Sequence, residues 1–103
     1  MKPGFVYIVT NKPNGVLYTG VTSNLDVRIY QHRTGVFDGF SKKYGCNRLA
    51  WFEAHDDIAE AIHREKRIKT WLRAWKVRLI LEGNPDWRDL YPELVGLPEG
   101  EVD

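Results

Sequence analysis

A small three-stranded antiparallel sheet flanked by helices, an α/β chain of the α+β type, is the fold class that three features of the sequence predict. Phe5 to Thr10 (FVYIVT) and Val16 to Val21 (VLYTGV) are rich in β-branched and aromatic residues and enclose Asn14-Gly15, a strong hairpin signal. A third run, Arg48 to Ala54 (RLAWFEA), has the same strand character. Between and after the strands lie segments with helical start and stop signals. The chain's 103 residues suit one domain with one modest core, and 43% hydrophobic with 13% aromatic content excludes disorder for most of the length.

Taken in order, the hairpin comes first. A turn centred on Asn14 and Gly15 pairs residues whose numbers sum to 29, Asn11 with Tyr18 and Tyr7 with Thr22. Strand alternation then sets Tyr7 and Tyr18 on one face, four residues apart along it. Ser23 followed by Asp26 is a variant of the capping box, and NLDVRIYQHR runs helical until Gly35 stops it. Leu25 and Ile29 supply the apolar contact of this helix, while Arg28 and His32, spaced i and i+4, lie side by side along its edge. A glycine-bearing loop follows with FSKKYG at Phe40 to Gly45, leading to the third strand.

Asp57 with Glu60 caps a long helix, and a break near Leu72 to Ala74 predicts two consecutive helices ending at Gly83. Asn84-Pro85 terminates the second, DWRDLYPEL forms a short turn of helix, and the chain after Gly96 is expected to be mobile. The domain is placed at residues 1–90, with 91–103 as an acidic, flexible tail.

Glu65 stands out. From Asp57 to Leu72, roughly 100° per residue puts Ile58, Ala61, Ile62, Ile68 and Leu72 on one face, and Glu65 projects from the middle of it. A desolvated acid requires a cation, a metal or a proton. An ion pair with Lys69, one turn on, and a metal-ligand role both meet that requirement.

Composition restricts the rest. No apolar run approaches the roughly 20 residues that span a bilayer, and MKPGFVYIVT lacks a signal-peptide cleavage pattern, so a cytoplasmic location away from membranes is expected. The lone Cys46 excludes an intrachain disulfide and multi-thiolate zinc, leaving a structural thiol. Net charge is only +1, but Arg64, Lys66, Arg67, Lys69, Arg73, Lys76 and Arg78 crowd one stretch, either a solvated helix face or a phosphate-binding surface. Trp51, Trp71, Trp75 and Trp87 are first of all core candidates, with base stacking as the alternative. His55 and His63 have no partners at metal spacing and are assigned to the surface.

The ordered set of Phe5-Val6-Tyr7, Tyr18-Thr19-Gly20, Arg28 and His32 on the first helix, and Glu65 on a later helix resembles the GIY-YIG nuclease domain over Phe5 to about Leu90. It is most similar to short single-domain bacterial members, whose FxxKY, AxxREKxIKxW and NPxWxDL stretches stand here at Phe40 to Tyr44, Ala61 to Trp71 and Asn84 to Leu90. Both tyrosines and the second glycine of the two name-giving motifs are present, while a lysine that some repair-type members carry after the second motif has no counterpart in Val21-Thr22-Ser23.

The resemblance implies a GIY-YIG endonuclease-like fold and metal-dependent hydrolysis of phosphodiesters in DNA, with branched, flapped or single-stranded forms as substrates. It implies Tyr7 as general base, Arg28 as transition-state stabiliser, and Tyr18 and His32 as water-orienting or proton-transferring groups. Glu65 would hold one Mg²⁺ or Mn²⁺. Lys42, Lys43, Arg64, Lys69 and Arg73 would meet phosphates, and Asn84 would support the site by hydrogen bonds. A free tyrosine is about one part in a thousand phenolate at pH 7, a handicap of roughly 4 kcal/mol. Arg28, the metal and Lys43 would favour the anion, giving an alkaline optimum. The alternative is a nucleic-acid-binding module that is non-catalytic or depends on a protein partner for affinity and specificity.

Overall fold

The computed structural model describes residues 2–36 and 39–96. The elements run β1 (Gly4–Thr10), β2 (Leu17–Thr22), α1 (Leu25–Thr34), α2 (Phe40–Lys43), β3 (Arg48–His55), α3 (Ile58–Lys69), α4 (Arg73–Gly83) and α5 (Tyr91–Leu94). The three strands form the predicted antiparallel sheet in the order β2-β1-β3. β1 lies in the middle and is covered on both faces, which is why FVYIVT is a continuous apolar run and not an alternating one. Tyr7, Val9 and Leu49 pack with Leu25 and Ile29 of α1 on one face, joined by Tyr91 and Leu94 of α5. Ile8, Ala50 and Ile80 of α4, and Val6 with Ala61 and Ile68 of α3, fill the other. Among the described residues no helix is long and apolar enough to cross a membrane.

The hairpin register differs from the expected one by two residues. Tyr7 faces Gly20 and Val9 faces Tyr18, so paired numbers sum to 27. The turn centres on Pro13-Asn14: Gly15 N–H donates to Lys12 C=O at 2.9 Å, and Asn14 has φ 56°. Proline at the second and a left-handed residue at the third position are the signature of a type II turn, which here outweighs the Asn-Gly dipeptide. A shift of two preserves parity, so Tyr7 and Tyr18 keep a common face and become diagonal neighbours.

Local chemistry explains the other departures. At the start of α1 the Ser23 capping box does not form; Asn24 occupies the cap position without a side-chain bond, and its N–H donates to Thr22 Oγ1 at 3.0 Å. Gly35 ends the helix in the left-handed conformation, φ 71°, which only glycine adopts without strain. The FSKK stretch is a one-turn helix where a loop was expected, too short to show periodicity. Asp57 does cap α3, accepting from Ala59 N–H at 3.0 Å. Of the apolar stripe expected on this helix, Ala61 and Ile68 are buried, whereas Ile62 is exposed within α3, and Leu72 is exposed because the helix ends at Lys69 and Leu72 caps α4. Residues 91–94 belong to the packed structure as α5; residues 97–103, where a mobile tail is expected, lie outside the described residues.

Asn84 holds the C-terminal part in place. Its Nδ2 donates to Ala50 C=O (3.1 Å) and Arg88 C=O (2.8 Å), and its Oδ1 accepts from Arg88 N–H (2.9 Å), all from a side chain that is fully buried. Asn84→Ala strands these groups in a poorly solvated place and should cost about 3 kcal/mol. In a domain of this size that corresponds to a fall in Tm of about 12 °C or more, measurable by a circular-dichroism melt.

Candidate active site

The site is built around a tyrosine hydroxyl buried on the central strand. Tyr7 points to the α1 face, directly opposite Gly20. A Cβ at position 20 would lie 2.4 Å from both Cζ and Oη of Tyr7, so the glycine of the second motif leaves the room that the phenol fills. Tyr7 Oη lies 2.8 Å from Nε2 of His32, which α1 delivers from its last turn. Nδ1 of His32 lies 3.1 Å from Oγ of Ser41, buried on α2. α2 is anchored in turn by a hydrogen bond from Cys46 N–H to Ser41 C=O at 2.8 Å.

Proton positions follow from the donors available. Arg28 is also hydrogen-bonded to Tyr7, and a guanidinium can only donate. With Arg28 donating to its oxygen, the Tyr7 hydroxyl has its own proton available for His32 Nε2. His32 then carries its own proton on Nδ1 and donates it to Ser41. Burial pushes the Tyr7 phenol up to about 12, opposed by Arg28 and reinforced by Tyr18 and Glu65. Burial, with help from Arg28, brings His32 down to about 4. Both groups are consequently neutral across the physiological range.

Around this pair lie the other expected residues. The Tyr18 ring is 5.4 Å from that of His32, and Tyr7 is 5.5 Å from it in an edge-on contact, so the imidazole sits between the two tyrosines. Arg28, half-buried, also reaches Val21 C=O at 3.5 Å. Glu65 is buried on α3, which leans on β1 and β2, and its charge bears on Tyr7. Its Oε2 accepts from Lys69 Nζ at 2.7 Å, but the lysine side chain is half exposed. The i,i+4 pair therefore does form, as one alternative for Glu65 required, yet at a solvated edge where it contributes little to stability.

The basic residues divide. Lys42 and Lys43 are exposed on α2, Lys43 over the Tyr44 ring, and Lys69 is on Glu65. Arg64 is paired with Glu53 at 3.1 Å and stacked over Trp71. Arg73 donates to the hairpin carbonyls of Asn14 (3.1 Å) and Gly15 (2.7 Å), fastening the turn to α4. Asn84 bonds to β3 and the following loop and is part of the scaffold, as described above. Ser41 escaped sequence reasoning: the FxxKY stretch was the signal, but a single serine in a one-turn helix shows no chemistry until His32 is placed beside it.

A cation at Glu65 is chemically reasonable. The carboxylate is nearly buried, its present partner is a lysine free to swing into solvent, and Mg²⁺ is commonly held by one or two carboxylates with water completing its shell. Among the described residues there is no group of three His, Cys, Asp or Glu that would form an all-protein cage.

The pKa shifts set the sign of the pH dependence of stability. His32 has a folded value of about 4 against an ordinary 6.5, so the fold favours the neutral ring. That contribution is complete above pH 6.5 and is lost as pH falls towards 4, by on the order of 3 kcal/mol. Tyr7, raised from 10 to about 12, contributes fully below pH 10 and loses its share as pH rises through 12. Denaturant titrations should show stability falling between pH 6.5 and 5, above the carboxylate range, with His32→Gln removing that slope. A flat wild-type profile over this interval would contradict the buried neutral imidazole.

Known proteins agree with this architecture. The family model described as the GIY-YIG catalytic domain matches residues 3–90. The UPF0213 protein of Staphylococcus saprophyticus is 37% identical over 83 residues, covering 81% of this chain and 100% of that protein. That of Staphylococcus haemolyticus is 38% identical over 82 residues, covering 80% and 99%. The solution NMR structure of the UPF0213 protein BH0048 from Bacillus halodurans is similar with a TM-score of 0.53 at 27% identity, covering 87% of this chain and 95% of that one. The likeness extends through the whole sheet and its helices, well past the two tyrosine motifs, and the chain belongs to the GIY-YIG domain family.

Proposed function

We propose that the face formed by Tyr7, Tyr18, Arg28 and His32 engages the backbone of nucleic acid, DNA in the first place, and hydrolyses a phosphodiester there as an endonuclease. The observation that carries this is the hydrogen-bonded line from Tyr7 through His32 to Ser41, with a guanidinium on the same phenol. In this reading Tyr7 takes a proton from the attacking water while passing its own to His32 Nε2, unprotonated at neutral pH. The water oxygen bonds to phosphorus as the P–O bond to the leaving strand breaks, the leaving oxygen takes a proton from solvent, and His32 returns its proton to solvent. Ser41 holds the imidazole in the required tautomer. Arg28 offsets negative charge developing on the phosphorus oxygens, and Tyr18 orients water or assists the proton transfer. Glu65 would hold Mg²⁺ or Mn²⁺, which would supply Lewis-acid polarisation of a phosphate oxygen. Lys42, Lys43, Lys69 and the remaining donors of Arg64 and Arg73 meet the phosphates, and a protein partner would supply specificity.

A proton relay changes the expected pH profile. A preformed phenolate would be rarer than in free tyrosine, since burial carries Tyr7 to about 12. The relay needs only a neutral His32, so the alkaline optimum expected from the residues alone gives way to a plateau. The second reading, a module that binds nucleic acid without cutting it unaided, is favoured by the protonated Tyr7 and by the absence of a multi-carboxylate cluster among the described residues.

Cleavage assays on a panel of DNA and RNA structures, with Mg²⁺, Mn²⁺ or chelator, separate the two. Glu65→Gln should reduce cleavage by roughly a hundredfold or more while binding persists. Its Tm should move little, because the Lys69 it leaves behind is half exposed and such pairs are worth about 1 kcal/mol or less. A large drop in Tm with cleavage retained per folded molecule would rule out the metal-ligand role. The rate should also be nearly constant from pH 6 to 9; a tenfold rise per pH unit would identify a free phenolate in place of the relay.

A further inference from the structure

A row of aromatic rings leaves the site and ends at a cavity. The Tyr18 ring, beside His32, is stacked with Phe40 at 6.3 Å and an interplanar angle of 26°. Phe40 in turn lies 4.7 Å from Tyr44, and both outer rings are more than two-fifths exposed. Phe40 lines a surface cavity of about 260 Å³, together with Val16 and Leu17 of β2 and Arg73 and Lys76 of α4. The lining is apolar and aromatic with two cations and no carboxylate. Arg73 is committed to the hairpin carbonyls, while the Lys76 ammonium makes no hydrogen bond or ion pair with the described residues. Lys42 and Lys43 flank Phe40 on α2.

This combination selects a flat, apolar-faced group attached to an anion. The volume is slightly below the roughly 300–1,000 Å³ of pockets that enclose a whole small ligand, which suits one planar group entering from an extended chain. A nucleobase linked to a phosphate has this chemistry, and stacking on an aromatic face tolerates any of the bases. Bases within a duplex are covered by their neighbours above and below; only an unpaired one can lie against a protein ring.

We infer that the Phe40 cavity receives an unpaired base of the DNA strand whose phosphate lies at Tyr7 and His32, with Lys76 meeting the adjoining phosphate. This rests on the nucleic-acid reading above and narrows it: the substrate is single-stranded or splayed beside the cut. Phe40 is then a specificity residue, one ring beyond Tyr18.

The test is a binding measurement in chelator, where no cleavage intervenes. Fluorescence anisotropy at fixed salt compares a single-stranded oligonucleotide with a blunt duplex of the same length, for the wild type, Phe40→Ala, Phe40→Leu and Phe40→Trp. The wild type should prefer the single strand by roughly tenfold, the scale of one stacked base. Phe40→Ala and the volume-keeping Phe40→Leu should abolish that preference and leave duplex affinity within about twofold, and Phe40→Trp should keep it. Melting curves exclude misfolding, and 2-aminopurine fluorescence in the single strand should be quenched by the wild type and released by Phe40→Leu. Equal affinity of the wild type for the two DNAs, or an equal loss on both in the variants, overturns the inference while leaving nucleic-acid binding intact. Failure to bind either DNA overturns both.

Discussion

A phenol hydroxyl on a strand covered from both sides has to find its hydrogen-bond partners inside the protein, and the arrangement around Tyr7 follows from that requirement. α1 must approach closely enough to bring His32 Nε2 within reach. His32, once buried, needs a partner for its second nitrogen, which is why a one-turn helix bearing Ser41 is folded over it and tied down through Cys46. Gly20 must remain without a side chain for the ring to lie where it does. Burial keeps phenol and imidazole uncharged, while the half-buried Arg28 keeps a positive charge at their edge.

The two faces of the sheet divide the labour. The α1 side carries the hydrogen-bonded Tyr7, His32 and Ser41 against a core of aromatic and aliphatic side chains. The α3 and α4 side is the larger apolar anchorage, held at its end by Asn84, and from it α3 sends Glu65 towards the same tyrosine. A single strand thus fixes the positions of both groups, and a bulge at Ala50 of β3, opposite Ile8 and Val9, shifts that pairing without disturbing the register of β1 to β2.

Much of this was legible in the residues. Strand character, helix ends at Gly35 and Asp57, and the placing of Tyr7 and Tyr18 on one face all follow from local rules that the tertiary fold leaves intact. The hairpin register did not, because Lys12-Pro13-Asn14-Gly15 offers two overlapping turn signals and Pro13 decided between them. Leu72 was assigned to the buried stripe because periodicity cannot tell where a helix will end, and Ile62 because it cannot tell how wide a face the sheet will cover. The partner of His32 was hidden for a different reason: Tyr7, His32 and Ser41 are 25 and 9 residues apart along the chain, and no local pattern encodes such a meeting. Glu65 was conspicuous from its position alone, and its i,i+4 pair with Lys69 was foreseeable from helical spacing, whereas the half-exposed position of that lysine became visible only with side chains in place.

Lys69 has a consequence for the history that such a carboxylate can have. With its own ammonium group standing in for an ion, Glu65 is neutralised while the protein folds, and the chain need not capture a cation to reach its final shape. Because the lysine is tethered one helical turn away and half in water, it can leave the carboxylate without moving the backbone. The fold thereby supplies its own counter-charge at Glu65, and its shape does not depend on what else meets that carboxylate.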